Sequence, residues 1–248
     1  MAGDADLYRH YTSTAVFTGG ADPHALLEWS RGYFRAHVLP LLPADRNAAI
    51  AEVGCGWGRY LLALSEAGYT RCEGVDVSEE QVAYARDVLR VSGVTRGDAA
   101  TWLHGRRGAF DCILALDVLE HLANDALVSL ACAVRDALRP GGIFLVQAPN
   151  ALAPLSPLRH ADLTHERAFT VGSLQQLFLI AGLTPREFRE APPHGRGPAG
   201  RLRRLLWTGA LRPLVRGFML AANGDAMGGI YTANLLAVAE RTRDVSPR

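Results

Sequence analysis

Apolar and polar positions fall in blocks along this chain, and the period of each block names an element. Ala48 to Val53 is an apolar run broken only by Glu52, the pattern of a buried strand, and helical spacing follows at Tyr60, Leu61, Leu64 and Ala67. Arg71 to Asp76 reads as a second short strand, followed by a helix through Val82, Ala85 and Leu89, with Ser78 and Gln81 as its capping box. Val94 to Ala99 gives strand three and its exit. Phe110 to Leu116 is a continuous apolar run, as a central strand covered on both faces should be. Asn124 is placed to cap a helix through Leu127, Leu130, Val134 and Leu138. A tight turn is expected at Arg139 to Gly142 before strand five, Ile143 to Val146. Leu174, Leu177 and Phe178 mark a helix that Gly182 stops, Phe188 marks strand six, and Thr232 to Ala239 strand seven.

Strands that alternate with helices at this spacing predict a doubly wound α/β fold, a parallel sheet with helices on both faces. Before the first strand, Asp22-Pro23 gives an N-cap and a proline at the first helical position, and an amphipathic helix follows through Leu26, Trp29, Tyr33, Phe34, His37, Val38 and Leu41. Pro40 and Pro43 end it. Residues 1–21 are polar, with Tyr8, His10, Tyr11 and Phe17 scattered among them: a loose terminus or a flap closing over a ligand.

The segment between strands six and seven has a different character. From Ala191 to Gly224 there is no acid, whereas Arg196, Arg201, Arg203, Arg204, Arg212 and Arg216 are all present. Leu211, Leu214, Val215, Phe218, Met219 and Ala222 repeat at helical spacing. This is a basic amphipathic helix; lid, homodimer face and membrane contact through 201–222 all remain open.

Composition narrows the classes. The 248 residues carry a formal net charge of +1, which argues against a general nucleic-acid binder. The 49% hydrophobic content suffices for a core, and no run has the length and apolarity of a membrane span. All 26 basic residues are Arg, a codon bias that fits a GC-rich, bacterial source. Cys55, Cys72, Cys112 and Cys132 are too widely spaced for a metal pair. Without a visible signal peptide they read as reduced thiols of a cytoplasmic protein, with peripheral attachment to the inner face of a membrane left open.

The candidate chemistry gathers around Glu52-Val53-Gly54-Cys55-Gly56-Trp57-Gly58-Arg59. A strand, a glycine loop and a helix in succession form the opening of a nucleotide-binding unit. A dinucleotide fingerprint would need its third glycine at position 59, where Arg59 stands. Asp76 follows Gly54 by 22 residues, the interval at which doubly wound folds place a carboxylate on ribose hydroxyls. Glu52 to Gly58, Asp76, Asp98 and Asp117 to His121 all fall at the carboxyl ends of expected strands, where such sheets bind ligands.

The E-x-G-x-G-x-G loop resembles motif I of the class I S-adenosylmethionine-dependent methyltransferases, and the Leu138-Arg139-Pro140-Gly141-Gly142 turn resembles the same family. The resemblance covers about residues 46 to 240. It implies a seven-stranded Rossmann-like sheet with an antiparallel last strand, S-adenosylmethionine as methyl donor and S-adenosylhomocysteine as product. It implies donor binding by Glu52, Gly54, Cys55, Gly56, Gly58, Arg59, Asp76, Val77, Asp98, Ala99, Leu116 and Asp117, with Asp98 near the adenine. Four segments are expected: a flap and cap helix over 1–45, the donor-binding core over 46–190, the basic insertion over 191–230, and the last strand and tail over 231–248.

The segment Asp162-Leu163-Thr164-His165-Glu166-Arg167-Ala168-Phe169-Thr170 resembles a subgroup linked to sugar and cell-surface glycan methylation. That implies O-methylation of a sugar, glycan or sugar-bearing natural product, with Asp162 and His165 binding or deprotonating the hydroxyl; His160 lies in the same loop. His121 is open between base, metal ligand and structural hydrogen bonding. Asp117, Glu120 and His121 stand at i, i+3 and i+4 and would share a helical face. That D-x-x-E-H pattern is similar to the metal site of the ubiquinone-pathway O-methyltransferases, although a divalent metal is not the favoured reading. Two rival functions follow: an O-methyltransferase on a quinone or phenolic precursor at the membrane, and a non-catalytic donor-binding partner subunit.

Overall fold

A computed structural model describes residues 22–155, 157–195 and 197–242. The aromatic flap expected within residues 1–21 lies outside them. Helix α1 (Pro23–Tyr33) starts as expected, with the Asp22 side chain accepting from the His24 amide. It runs on through a π-helical turn, Phe34–Val38, and a 3₁₀ turn, Leu39–Leu41, which Pro40 begins to close.

The core is a sheet of β1 (Ala49–Val53), β2 (Arg71–Asp76), β3 (Val94–Arg96), β4 (Phe110–Leu116), β5 (Leu138–Pro149), β6 (Thr184–Glu190) and β7 (Asn234–Glu240). Their spatial order is β3-β2-β1-β4-β5-β7-β6. β1 through β5 pair in parallel, and β7 runs antiparallel to both β5 and β6. All five residues of β1 are buried. Alternation sends Ala49, Ala51 and Val53 into one layer of core and Ile50 into the other, so helices must cover both faces. They are α2 (Arg59–Glu66), α3 (Glu79–Asp87), α4 (Ala99–His104), α5 (Asn124–Ala137) and α6 (Val171–Ile180).

Between β1 and β4 the winding reverses direction: β2 and β3 lie to one side and the later strands to the other. That is the topological switch point, where the loops after adjacent strands diverge and leave a crevice. Gly54 follows β1 there, and Asp117 follows β4.

Three local expectations are corrected. Ala123, not Asn124, is the N-cap of α5, and the Asn124 carboxamide oxygen instead accepts from Arg167. The Ser78 hydroxyl accepts from the Gln81 amide, but the Gln81 carboxamide faces Gly56, while the Ser78 amide donates to Asp76 at 2.8 Å. The Arg139–Gly142 turn is absorbed into one long strand, β5, as an irregularity between the pairs Phe110–Leu138 and Cys112–Ile143. Gly141, at φ 84°, makes it, and its amide donates to the Arg241 carbonyl at 2.7 Å.

Candidate active site

A cavity of about 670 Å³ opens at the switch point. That size suits a small-molecule ligand. Its floor is the loop after β1. Gly54 and Gly56 have φ of 64° and 54°, a backbone that L side chains rarely adopt. A Cβ at Gly54 would stand 2.4 Å from the Val118 side chain, and one at Gly56 would stand 2.6 Å from the Gln81 carboxamide. Asp76, at the end of β2, holds this loop: its Oδ2 accepts from the Gly56 amide at 2.7 Å. Burial raises the Asp76 pKa, and the amides of Ser78 and Gly56 oppose the shift. Each of its oxygens keeps a further lone pair for a ligand hydroxyl. Glu52 lies beneath with Oε2 lacking a hydrogen-bond partner. Burial pushes its pKa up to about 8, with Arg59 opposing and Asp76 reinforcing.

Gly97, Asp98, Ala99 and Ala100 form another wall, where α4 begins. One Asp98 oxygen caps that helix, accepting from the Thr101 amide at 2.8 Å and hydroxyl at 2.7 Å.

At the other end, the segment after β4 is not an α-helix. Asp117 takes φ 60°, and a 3₁₀ turn, Leu119–His121, follows. Asp117 therefore turns away from the face it was expected to share with Glu120 and His121. Its carboxylate accepts two contacts from the Gln147 amide, at 2.7 and 2.8 Å, and lies 3.6 Å from Arg59. His165 takes its place: single ligand atoms of Glu120, His121 and His165 lie within 4.8 Å of one another, and the two imidazole rings meet edge to face at 4.7 Å.

Hydrogen bonds fix both rings. Thr164 donates its one hydroxyl proton to Asp162 at 2.7 Å, so it accepts from His121 Nδ1 at 2.8 Å, which leaves the lone pair of neutral His121 on Nε2. Burial and the neighbouring His165 lower the His121 pKa to about 4. His165 Nδ1 donates to the Leu158 carbonyl at 2.7 Å, and its Nε2 stands 3.9 Å from Glu120 Oε1. Glu120 is fully buried, and neither carboxyl oxygen has a hydrogen-bond partner. Burial, reinforced by Asp117 and Asp162, holds the Glu120 pKa well above the carboxylate range. The loop carrying His165 is clamped by Arg159, which donates to the carbonyls of His165 and Glu166, and by the Glu166 amide, which donates to the Glu120 carbonyl at 2.9 Å.

Residues 50–142 match the model of a methyltransferase domain family. The chain is 31% identical over 174 residues to a Mycolicibacterium smegmatis protein named "Probable S-adenosylmethionine-dependent methyltransferase", covering 68% of this chain and 66% of that one. It is 34% identical over 104 residues to the ubiquinone biosynthesis O-methyltransferase of Agrobacterium fabrum, covering 41% of this chain and 40% of that one. It thus spans less than two thirds of the length of either relative. Its fold resembles the crystal structure of an Archaeoglobus fulgidus SAM-dependent methyltransferase, with TM-score 0.63 and 16% identity over 88% of this chain and all of that one. The chain has the Rossmann-like fold of the S-adenosylmethionine-dependent methyltransferases, and residues 50–142 match a methyltransferase domain model.

The cavity suits S-adenosylmethionine. Glycine loop, Asp76 and the Asp98 wall form a cradle that side chains at 54 or 56 would fill. Of the residues expected to bind the donor, Glu52, Gly54, Cys55, Gly56, Arg59, Asp76, Val77, Asp98, Ala99, Leu116 and Asp117 line the cavity. Gly58 does not. It packs against α3, where a Cβ would stand 3.1 Å from Ala85, so it serves helix packing. His121, Asp162 and His165 line the far end, and His160 is not in the lining. Leu26 and Trp29 of α1, Gln81, Asn234 and Leu158 also line it, and the sequence pattern did not mark them as site residues. Trp29 carried a visible signal, an aromatic on a cap helix, but its spacing equally fits core packing.

Proposed function

We propose that this protein is a methyltransferase that methylates a hydroxyl group, with S-adenosylmethionine held at Gly54–Gly56 and Asp76 and the acceptor placed against His121 and His165. The observation that carries this is the buried Glu120 carboxyl, unsatisfied and beside two imidazoles whose Nδ1 atoms are both committed elsewhere. A buried acid without a partner costs roughly 1–3 kcal/mol, so folds keep one where function needs it. The donor supplies an activated methyl on a sulfonium. The protein's share is to orient the acceptor, which can contribute ~7–11 kcal/mol, and to remove its proton. His165 Nε2 accepts that proton as general base. Glu120 Oε1 stands 3.9 Å from that nitrogen, and the Leu158 carbonyl keeps the ring in place.

The acceptor is a sugar or sugar-bearing natural product in the reading that Asp162, Thr164 and His165 support through their resemblance to glycan-modifying relatives. A phenolic or quinone precursor is the second reading. It is favoured by the apolar lining from Leu26, Leu122, Pro149 and Leu158, and by a relative named as a ubiquinone biosynthesis O-methyltransferase. Glu120, His121 and His165 together also form a donor set that could hold a divalent cation on a vicinal diol.

Incubation with methyl-labelled donor and separate pools of glycans, nucleotide sugars and catechols identifies the acceptor class. His165→Ala is expected to leave donor affinity unchanged and lower turnover by roughly 10²–10⁴-fold. Unchanged turnover would remove His165 from the chemistry. Chelator treatment is expected to leave turnover intact; its loss, restored by added Mg²⁺, favours the cation over the base.

A further inference from the structure

The basic insertion forms an arm that the rest of the described chain does not cover. Helix α7 (Gly197–Leu206), a π-helical turn (Trp207–Leu211) and helix α8 (Arg212–Asn223) run in continuous succession, and no described residue of them is buried. Arg212 ties the arm to the body: its Nε lies 2.9 Å from Glu190, and it donates to the Gly229 carbonyl at 3.2 Å. Beyond that root the arm leaves large apolar side chains in water. Leu205, Leu214 and Phe218 are 69%, 71% and 68% exposed, and Leu202, Leu206 and Leu211 are each half exposed or more. A patch of this kind marks an interaction site.

Charge decides between occupants. No acid occurs from Ala191 to Gly224, and Arg201, Arg203, Arg204 and Arg216 stand among the exposed apolar residues. Two copies of the arm laid against each other would oppose arginine to arginine. An anionic bilayer complements both features, with lipid phosphates meeting the guanidinium groups and the acyl boundary taking up the leucines and Phe218. No helix among the described residues is long and apolar enough to cross a membrane, so the arm would lie in the interface. We propose that residues 197–223 dock this protein on an anionic phospholipid surface. The inference is independent of the acceptor and of the catalytic assignment.

Co-sedimentation of the full chain with vesicles tests it. Binding is expected to vesicles of equal parts phosphatidylglycerol and phosphatidylcholine, to weaken as salt rises, and to be absent from pure phosphatidylcholine. The triple change Arg201→Gln, Arg203→Gln, Arg204→Gln is expected to weaken it roughly a hundredfold. Leu214→Asp with Phe218→Asp is expected to abolish it while donor affinity stays at the wild-type value, which shows that the variant is folded. Wild-type protein that ignores anionic vesicles, or binds neutral ones equally well, overturns the proposal. So does a lipid-free dimer that Leu214→Asp with Phe218→Asp dissociates, since the arm would then belong to a second copy.

Discussion

Glu52 and Glu120 are both buried acids that face the cavity, and their surroundings differ in a way that experiment can read. Glu52 titrates at about 8 in the fold against an ordinary value of 4.5, so the folded state holds its proton through that interval while the unfolded state has lost it. Its contribution is fully present below pH 4.5 and declines as pH rises toward 8. His121 acts in the opposite sense. Its folded pKa of about 4 lies below the usual 6.5, so its contribution is present above pH 6.5 and lost as pH falls toward 4. Glu52→Gln is therefore expected to flatten the fall in thermal stability on the alkaline side and leave the acid side as it was. Melting curves from pH 4 to 9 check this, and an unaltered alkaline slope contradicts it. The sequence showed Asp76 and Glu52 at the sheet rim because acids at the ends of apolar runs stand out. It could not show that Asp117 leaves the Glu120–His121 face, because that depends on one left-handed residue, and aspartate does not announce such a backbone.

At the scale of elements, period and glycine placement located the strands. β2 and β4 match the expected runs residue for residue; β4, covered on both faces, leaves a nearly continuous apolar signature, whereas β2 was marked by its spacing from the glycine loop and its terminal acid. Boundaries moved where tertiary contacts override local pattern, as at Arg139–Gly142, which β4 and the Arg241 backbone draw into β5. The glycine loop is the most demanding element. Gly54→Ala forces a left-handed alanine, costing roughly 1–2 kcal/mol, and drives its methyl into Val118. The variant is expected to melt lower and to lose donor affinity. Combining it with Val118→Ala is expected to recover part of the stability and little of the affinity, because the backbone strain remains. Calorimetry and donor titration on both variants check this. Full recovery of affinity would show that the close approach of Val118, not the loop conformation, sets binding.

On the scale of the whole molecule, the sheet order puts the ends of β1, β2, β3 and β4 on one rim, so residues from Glu52 to His121 meet across a single cavity. That convergence was legible from sequence, since parallel strands share their carboxyl edge. The acceptor end was less so: His165 arrives on a loop after β5, and only the folded chain brings it within reach of Glu120. The helical arm was visible as composition, but its detachment from the body was not, because periodicity reports an apolar face without saying what covers it.

A crystal soaked with S-adenosylhomocysteine tests the central claim most directly. The ligand is expected along Gly54 to Gly56, with its ribose hydroxyls on the Asp76 carboxylate and its sulfur turned toward His121 and His165. A ligand bound elsewhere, or lying on the glycine loop with its sulfur turned away from both imidazoles, contradicts it.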